Sequence, residues 1–109
     1  MVLLVDEKEI IEITIAKNMF SRMKGLMGKN TVEKGLLLSP CNSIHTFFMK
    51  VPIDVLYLDK CGHIVSMNNP IIPWKVGKMI RHSKAVIELP SGTIKKSNIK
   101  LNQKVTFLN

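Results

Sequence analysis

Between positions 41 and 54 the chain places Cys41, Ser43, His45, Met49 and Asp54, side chains whose types could do chemistry. A thiol or hydroxyl, an imidazole and a carboxylate are the parts of a hydrolytic triad. Cys41 or Ser43 would attack, His45 would take the proton, and Asp54 would hold the imidazole. No nucleophile elbow or oxyanion-hole glycine pattern accompanies them, so this reading rests on residue types alone. Cys41, His45 and Met49 also stand at i, i+4 and i+8, which would line one face of a helix and offer soft ligands to a metal. The run around them has the composition of a strand, however, and four strand residues separate side chains by roughly 13 Å, too far for one ion to bridge. Neither a metal site nor a cofactor is expected.

Asp54 raises a different question. It is the one charge in the apolar run Ile53 to Leu58, directly after the break at Val51-Pro52. A carboxylate in such a setting needs a partner, a hydrogen-bond network or a task. Arg22 is the natural charge partner and could pair with it bidentately. A binding site would then gather Arg22, His45, Asp54, Trp74 and Glu88 at one end of the fold, with the indole as its floor. The competing reading is a buried Arg22–Asp54 ion pair that only orients a helix on a sheet.

These residues hang on a framework that the hydrophobic pattern outlines. The stretch SIHTFFMKVPIDVLYLD, from Ser43 to Asp59, is the longest nearly uninterrupted apolar run. It reads as two strands parted by Pro52, which has no N–H to give a ladder. The turn Asp59-Lys60-Cys61-Gly62 then leads into a strand from His63 to Met67. Before this core, Met1 to Val5 and Ile10 to Ile15 read as strands, the second with period-2 alternation. Met19, Phe20, Met23, Leu26 and Met27 share one helical face, which predicts a short helix over Asn18 to Met27. Gly35 to Leu38, Ala85 to Leu89 and Lys104 to Leu108 complete the strands. A loop surrounds Trp74, and Lys95-Lys96-Ser97-Asn98 reads as a polar connector.

The chain has 109 residues, 46% of them hydrophobic, which suits a single domain with a real core. No apolar run reaches the ~20 residues that span a bilayer, and the first residues lack the pattern of a signal peptide. A cytoplasmic setting without a membrane partner is expected, with Cys41 and Cys61 as reduced thiols. The net charge of +8 is uneven: residues 60–109 hold nine basic residues against one acid, Glu88. Lys75, Lys78, Arg81 and Lys84, with Lys95 and Lys96 further on, are the candidates for contact with an anion. Trp74 is the one stacking ring near them, so weak, salt-sensitive nucleic-acid binding is the most this pattern supports.

Arg22, Gly25-Leu26-Met27, Glu33-Lys34-Gly35-Leu36-Leu37-Leu38, HTFFMKVPIDVLYLD, Pro73-Trp74 and VIELPSG occur in that order. Together they resemble the bacterial and archaeal family called domain of unknown function 192, over roughly Ile13 to Phe107. The resemblance implies a mainly β domain with one short helix and brings no established reaction with it. Asn102-Gln103 stands where that family usually has Gly-Asp, which speaks against an acid acting at this turn. The expectation is a mainly β single domain over residues 1–109, a small barrel or jelly-roll-like sandwich of about seven to nine short strands with one helix. Its expected role is a non-catalytic binding or interaction module with a polar pocket near the central hairpin, taking a small ligand or a protein partner. The alternatives are a hydrolase using Cys41, His45 and Asp54, or a weak nucleic-acid or anion binder.

Overall fold

The structure is a computed structural model that describes residues 1–16 and 31–109. Arg22 and the helix expected over Asn18 to Met27 lie outside the described residues. Within them the chain forms β1 (Val2–Val5), β2 (Lys8–Ala16), β3 (Gly35–Leu38), β4 (Ile53–Leu58), β5 (Ile64–Ile71), β6 (Ala85–Pro90), α1 (Thr93–Lys96) and β7 (Val105–Leu108). All seven strands join one sheet in the order β5-β4-β6-β3-β2-β1-β7. The neighbours are antiparallel except β2 and β3, which run parallel. The mainly β fold thus holds, and the strands among the described residues number seven.

The sheet curls until its two edges touch without forming a full ladder. His63 and Lys104 make an isolated bridge, and the Ile64 N–H donates to the Gln103 carbonyl at 3.0 Å. The curled sheet is therefore barrel-like but not a closed barrel. Leu3, Ile13, Leu56, Leu58, Ile64, Ile87, Leu89 and Val105 fill one face, and Ile94 of α1 seals it. Ile53, Val55, Tyr57, Val86, Leu36 and Leu38 line the other face, against Ile44 and Met49. β4 is buried on both faces, which is why it lacks the alternation of a half-exposed strand. Burying each of these aliphatic side chains contributes about 1.5–3 kcal/mol.

Besides shifts of one or two residues at strand ends, three segments differ from the sequence reading. The segment from Ile44 to Met49 is not a strand; only His45 makes a bridge, to Val76. Its Phe48 has φ 65°, which breaks an extended ladder. β5 continues through Asn68-Asn69-Pro70, which reads as a loop in the sequence. As a sheet edge it can carry a proline, since no ladder partner awaits the missing N–H. Finally, Lys95 and Lys96 belong to the short helix α1 rather than to a connector.

Candidate functional site

Two segments that follow no regular strand run side by side across the second face of the sheet. Residues 41–49 and 72–84 are antiparallel and joined by backbone hydrogen bonds. The Cys41 N–H donates to Lys84 O at 3.0 Å, Ile80 N–H to Asn42 O at 2.8 Å, and Gly77 N–H to Ile44 O at 2.8 Å. Gly77 suits this close approach, because a Cβ there would sit 3.2 Å from Ile44 O and 3.4 Å from the Tyr57 hydroxyl, tight enough that a neighbour would have to give.

Thr46 pins this ribbon. Fully buried, it donates its hydroxyl proton to Ile72 O at 2.7 Å and accepts from the Lys75 N–H at 2.8 Å. Its own N–H donates to Lys75 O at 2.8 Å, and its carbonyl accepts the Trp74 N–H at 2.9 Å. The side chain and both backbone polar groups of this one residue thereby fix the backbone on either side of Trp74. The sequence reading passed over Thr46 in favour of His45. Its signal was a lone hydroxyl inside an apolar run, which needs buried partners.

What the ribbon displays is aromatic. His45 and Phe47 lie 5.0 Å apart between ring centroids, Phe47 and Trp74 6.1 Å, and Phe48 and Trp74 4.9 Å in an edge-on contact. Phe48 and Trp74 are nevertheless 58% and 59% exposed. Both also hold left-handed backbone, φ 65° and 62°, a costly conformation for bulky side chains. Ile72, Val76 and Met79 are exposed on the same ribbon. Lys50, Lys75, Lys78, Arg81 and Lys84 are exposed on the same two loops, and no Asp or Glu occurs in residues 35–53 or 60–87. Four of these cations, Lys75, Lys78, Arg81 and Lys84, are the anion candidates of the sequence; Lys95 and Lys96 sit apart on α1.

The other candidate residues divide between the two faces of the sheet. Asp54 stands opposite Leu89 on β6, on the face that Ile94 seals. Its Oδ2 accepts the N–H groups of Gly92 at 3.1 Å and Ile94 at 2.9 Å, and Oδ1 has no hydrogen-bond partner among the described residues. Gly92, the residue that caps α1, has no side chain to cap it, so Asp54 supplies the acceptor from the neighbouring strand. Glu88 pairs with Val55 and so faces the opposite way, into the second core. A single site around Asp54 that includes His45, Trp74 and Glu88 is therefore not assembled, because adjacent strand positions point to opposite faces.

On the second face, the Tyr57 hydroxyl donates to Asn68 Oδ1 at 2.6 Å. Burial, with Cys41 and Glu88 nearby, pushes its pKa up to about 12. The Cys41 thiol donates to Ser43 O at 3.0 Å, and His45 Nδ1 accepts the Phe47 N–H at 3.3 Å. The imidazole is thus oriented by its own loop rather than by Asp54. Met49, the third of the soft ligands considered above, is buried in the second core. Among the described residues no three His, Cys, Asp or Glu side chains gather as metal ligands. A shallow pocket of about 240 Å³ lies at one end of the ribbon, lined by Pro40, Cys41, Asn42, Ser83 and Lys84. No helix among the described residues is long and apolar enough to cross a membrane.

Comparison with known proteins bears on the whole chain. The model of DUF192, described as uncharacterised ACR, matches residues 1–107. A UPF0127 protein of Pyrococcus abyssi is 29% identical over 102 residues, 89% of this chain and 86% of its own length. A crystal structure of a protein of unknown function from Novosphingobium aromaticivorans superposes with a TM-score of 0.83 at 17% identity, covering 97% of this chain and 84% of that one. The structure of a putative transcription regulator from Sinorhizobium meliloti superposes with a TM-score of 0.72 at 19% identity, over 86% of this chain and 79% of that one. At these identities the two structures establish the fold alone.

Proposed function

The chain belongs to the DUF192 family, and from that premise we propose that it is a non-catalytic binding module whose recognition surface is the aromatic and basic ribbon, with an anionic partner. The observation that carries this reading is the display of Phe48 and Trp74. Strained backbone costs about 1–3 kcal/mol at each residue, and leaving more than half of each side chain in water forgoes much of the burial that would offset it. A buried Thr46 network holds the arrangement, and five cations are exposed on the same two loops, which carry no Asp or Glu. Exposed aromatic clusters of this kind mark contact sites. The shallow polar pocket at the end of the ribbon extends the same surface.

The hydrolase alternative lacks comparable support, since Asp54 faces away from His45 and serves α1. Nucleic acid stays in the test as one anionic candidate. The Sinorhizobium protein is named as a putative transcription regulator, but a likeness at 19% identity does not carry that role to this chain.

Trp74 is the sole tryptophan, so its emission reports the site directly. The experiment titrates the protein with three polyanions: phosphatidylglycerol vesicles, a single-stranded oligothymidylate and polyglutamate. At least one should shift Trp74 emission to the blue, and Lys75→Glu with Lys78→Glu should abolish the shift. Silence toward all three would refute the reading.

A further inference from the structure

We propose that the ribbon is a docking face for an anionic lipid bilayer, which it meets peripherally, with Phe48, Trp74, Val76 and Met79 entering the interface and the exposed cations of the same two loops meeting headgroups. The inference rests on the reading above and names the source of the negative charge.

Three observations favour a bilayer over other polyanions. The first is the aliphatic share of the display. Val76 is 69% and Met79 76% exposed, and Ile72 is exposed with them. Base stacking makes no use of such side chains, whereas an acyl–headgroup boundary takes them together with Trp and Phe. The second is ring geometry. Phe48 and Trp74 meet edge-on at 60°, and Phe47 is tilted 34° to Trp74. Successive bases stack on rings set parallel to one another along a strand, and these rings are edge-on or tilted instead. The third is the choice of cation: four lysines and one arginine. Protein interfaces are depleted in lysine, but a polybasic rim suits a diffuse layer of anionic headgroups, where each cation strengthens attachment about fivefold.

The expectation of no membrane partner rested on the lack of a spanning run, and peripheral attachment needs none. One wedge of apolar side chains gives weak, reversible binding, so the cations are required for appreciable affinity.

The decisive experiment follows Trp74 emission against vesicles of phosphatidylcholine with 30 mol% phosphatidylglycerol, roughly the anionic content that makes a polybasic surface bind. Pure phosphatidylcholine vesicles, glycerol phosphate, oligothymidylate and polyglutamate run in parallel. The expected result is a blue shift with anionic vesicles and quenching by lipids brominated on the acyl chain. Affinity should be at least tenfold higher than for neutral vesicles, with no response to free glycerol phosphate. Lys75→Glu with Lys78→Glu should lower that affinity at least tenfold. Phe48→Ser, at an exposed position, should remove most of the binding while circular dichroism and thermal unfolding confirm the fold. If oligothymidylate or polyglutamate shifts the emission and anionic vesicles do not, the lipid assignment falls while the anion-binding reading stands. Equal partition into neutral vesicles, or saturation by free glycerol phosphate, likewise overturns the bilayer proposal. If no anion shifts the emission, both fall together.

Discussion

Thr46 is the residue on which the proposed recognition surface turns. Its hydroxyl both donates to Ile72 and accepts from Lys75, and the residue is fully buried. Thr46→Val keeps the shape and removes the hydroxyl. It should lower stability by about 1–3 kcal/mol, since a buried N–H and a carbonyl lose their partner. Chemical denaturation measures that loss. The fluorescence anisotropy of Trp74 should fall at the same time, because the segment bearing the indole is no longer pinned. An unchanged anisotropy would mean that the backbone bonds alone hold Trp74 in place. Tyr57 makes a second prediction. Its pKa, raised to about 12 by burial and then by Cys41 and Glu88, lies above the unfolded value of 10.0. The unfolded chain therefore loses this proton first as pH rises. The stabilisation is whole below pH 10 and is lost progressively toward pH 12. Tyr57→Phe should flatten that part of the stability profile, read by thermal unfolding between pH 9 and pH 12. The partners of neither residue were open to sequence reading. The chemistry of Thr46 depends on residues 26 and 29 positions away, and that of Tyr57 on Asn68, 11 positions away.

At the scale of elements, strands were legible wherever period and length agreed. β3 was read to the residue, and β4 likewise, because turn signals and an apolar run bounded each. The same rule misread Ile44 to Met49. That segment is apolar because it covers a sheet face, not because it belongs to a ladder, and composition does not separate the two. α1 was missed for the opposite reason: Thr93–Lys96 is too short for a hydrophobic period, and its capping acceptor comes from another strand. Asp54 explains that dependence. The sequence asked what task a carboxylate could have inside β4, and the answer is to hold the first N–H groups of the turn into α1. Asp54→Ala should therefore free the Gly92 and Ile94 N–H groups and cost about 2–4 kcal/mol, on the scale of two buried donors left unpaired. Amide hydrogen exchange should accelerate first at residues 92–97 and only later in β4. Uniform acceleration throughout the sheet would show that α1 is not a separate unit resting on this carboxylate.

At the scale of the whole molecule, each face of the sheet has its own core, and the proposed recognition surface lies over one of them. The face sealed by Ile94 is a dry aliphatic interior with Asp54 at its edge, while the second face carries the ribbon and its exposed rings. The excess charge of residues 60–109 was plain in the sequence, and so was Trp74 as the ring nearest to it. That Phe47 and Phe48 share the same surface was not, since it arises from the pairing of loops nearly thirty residues apart. Attraction through exposed cations weakens with salt, as the screening length shortens to about 8 Å at physiological ionic strength. The most direct measurement of the account is amide chemical-shift mapping by NMR of the protein titrated with small anionic bicelles at low salt. The account predicts perturbations concentrated in residues 43–50 and 72–84, with Phe48, Trp74 and Val76 the largest, fading as salt is added. Perturbations centred on Asp54 and α1, or no residue-specific change at any lipid concentration, would contradict it.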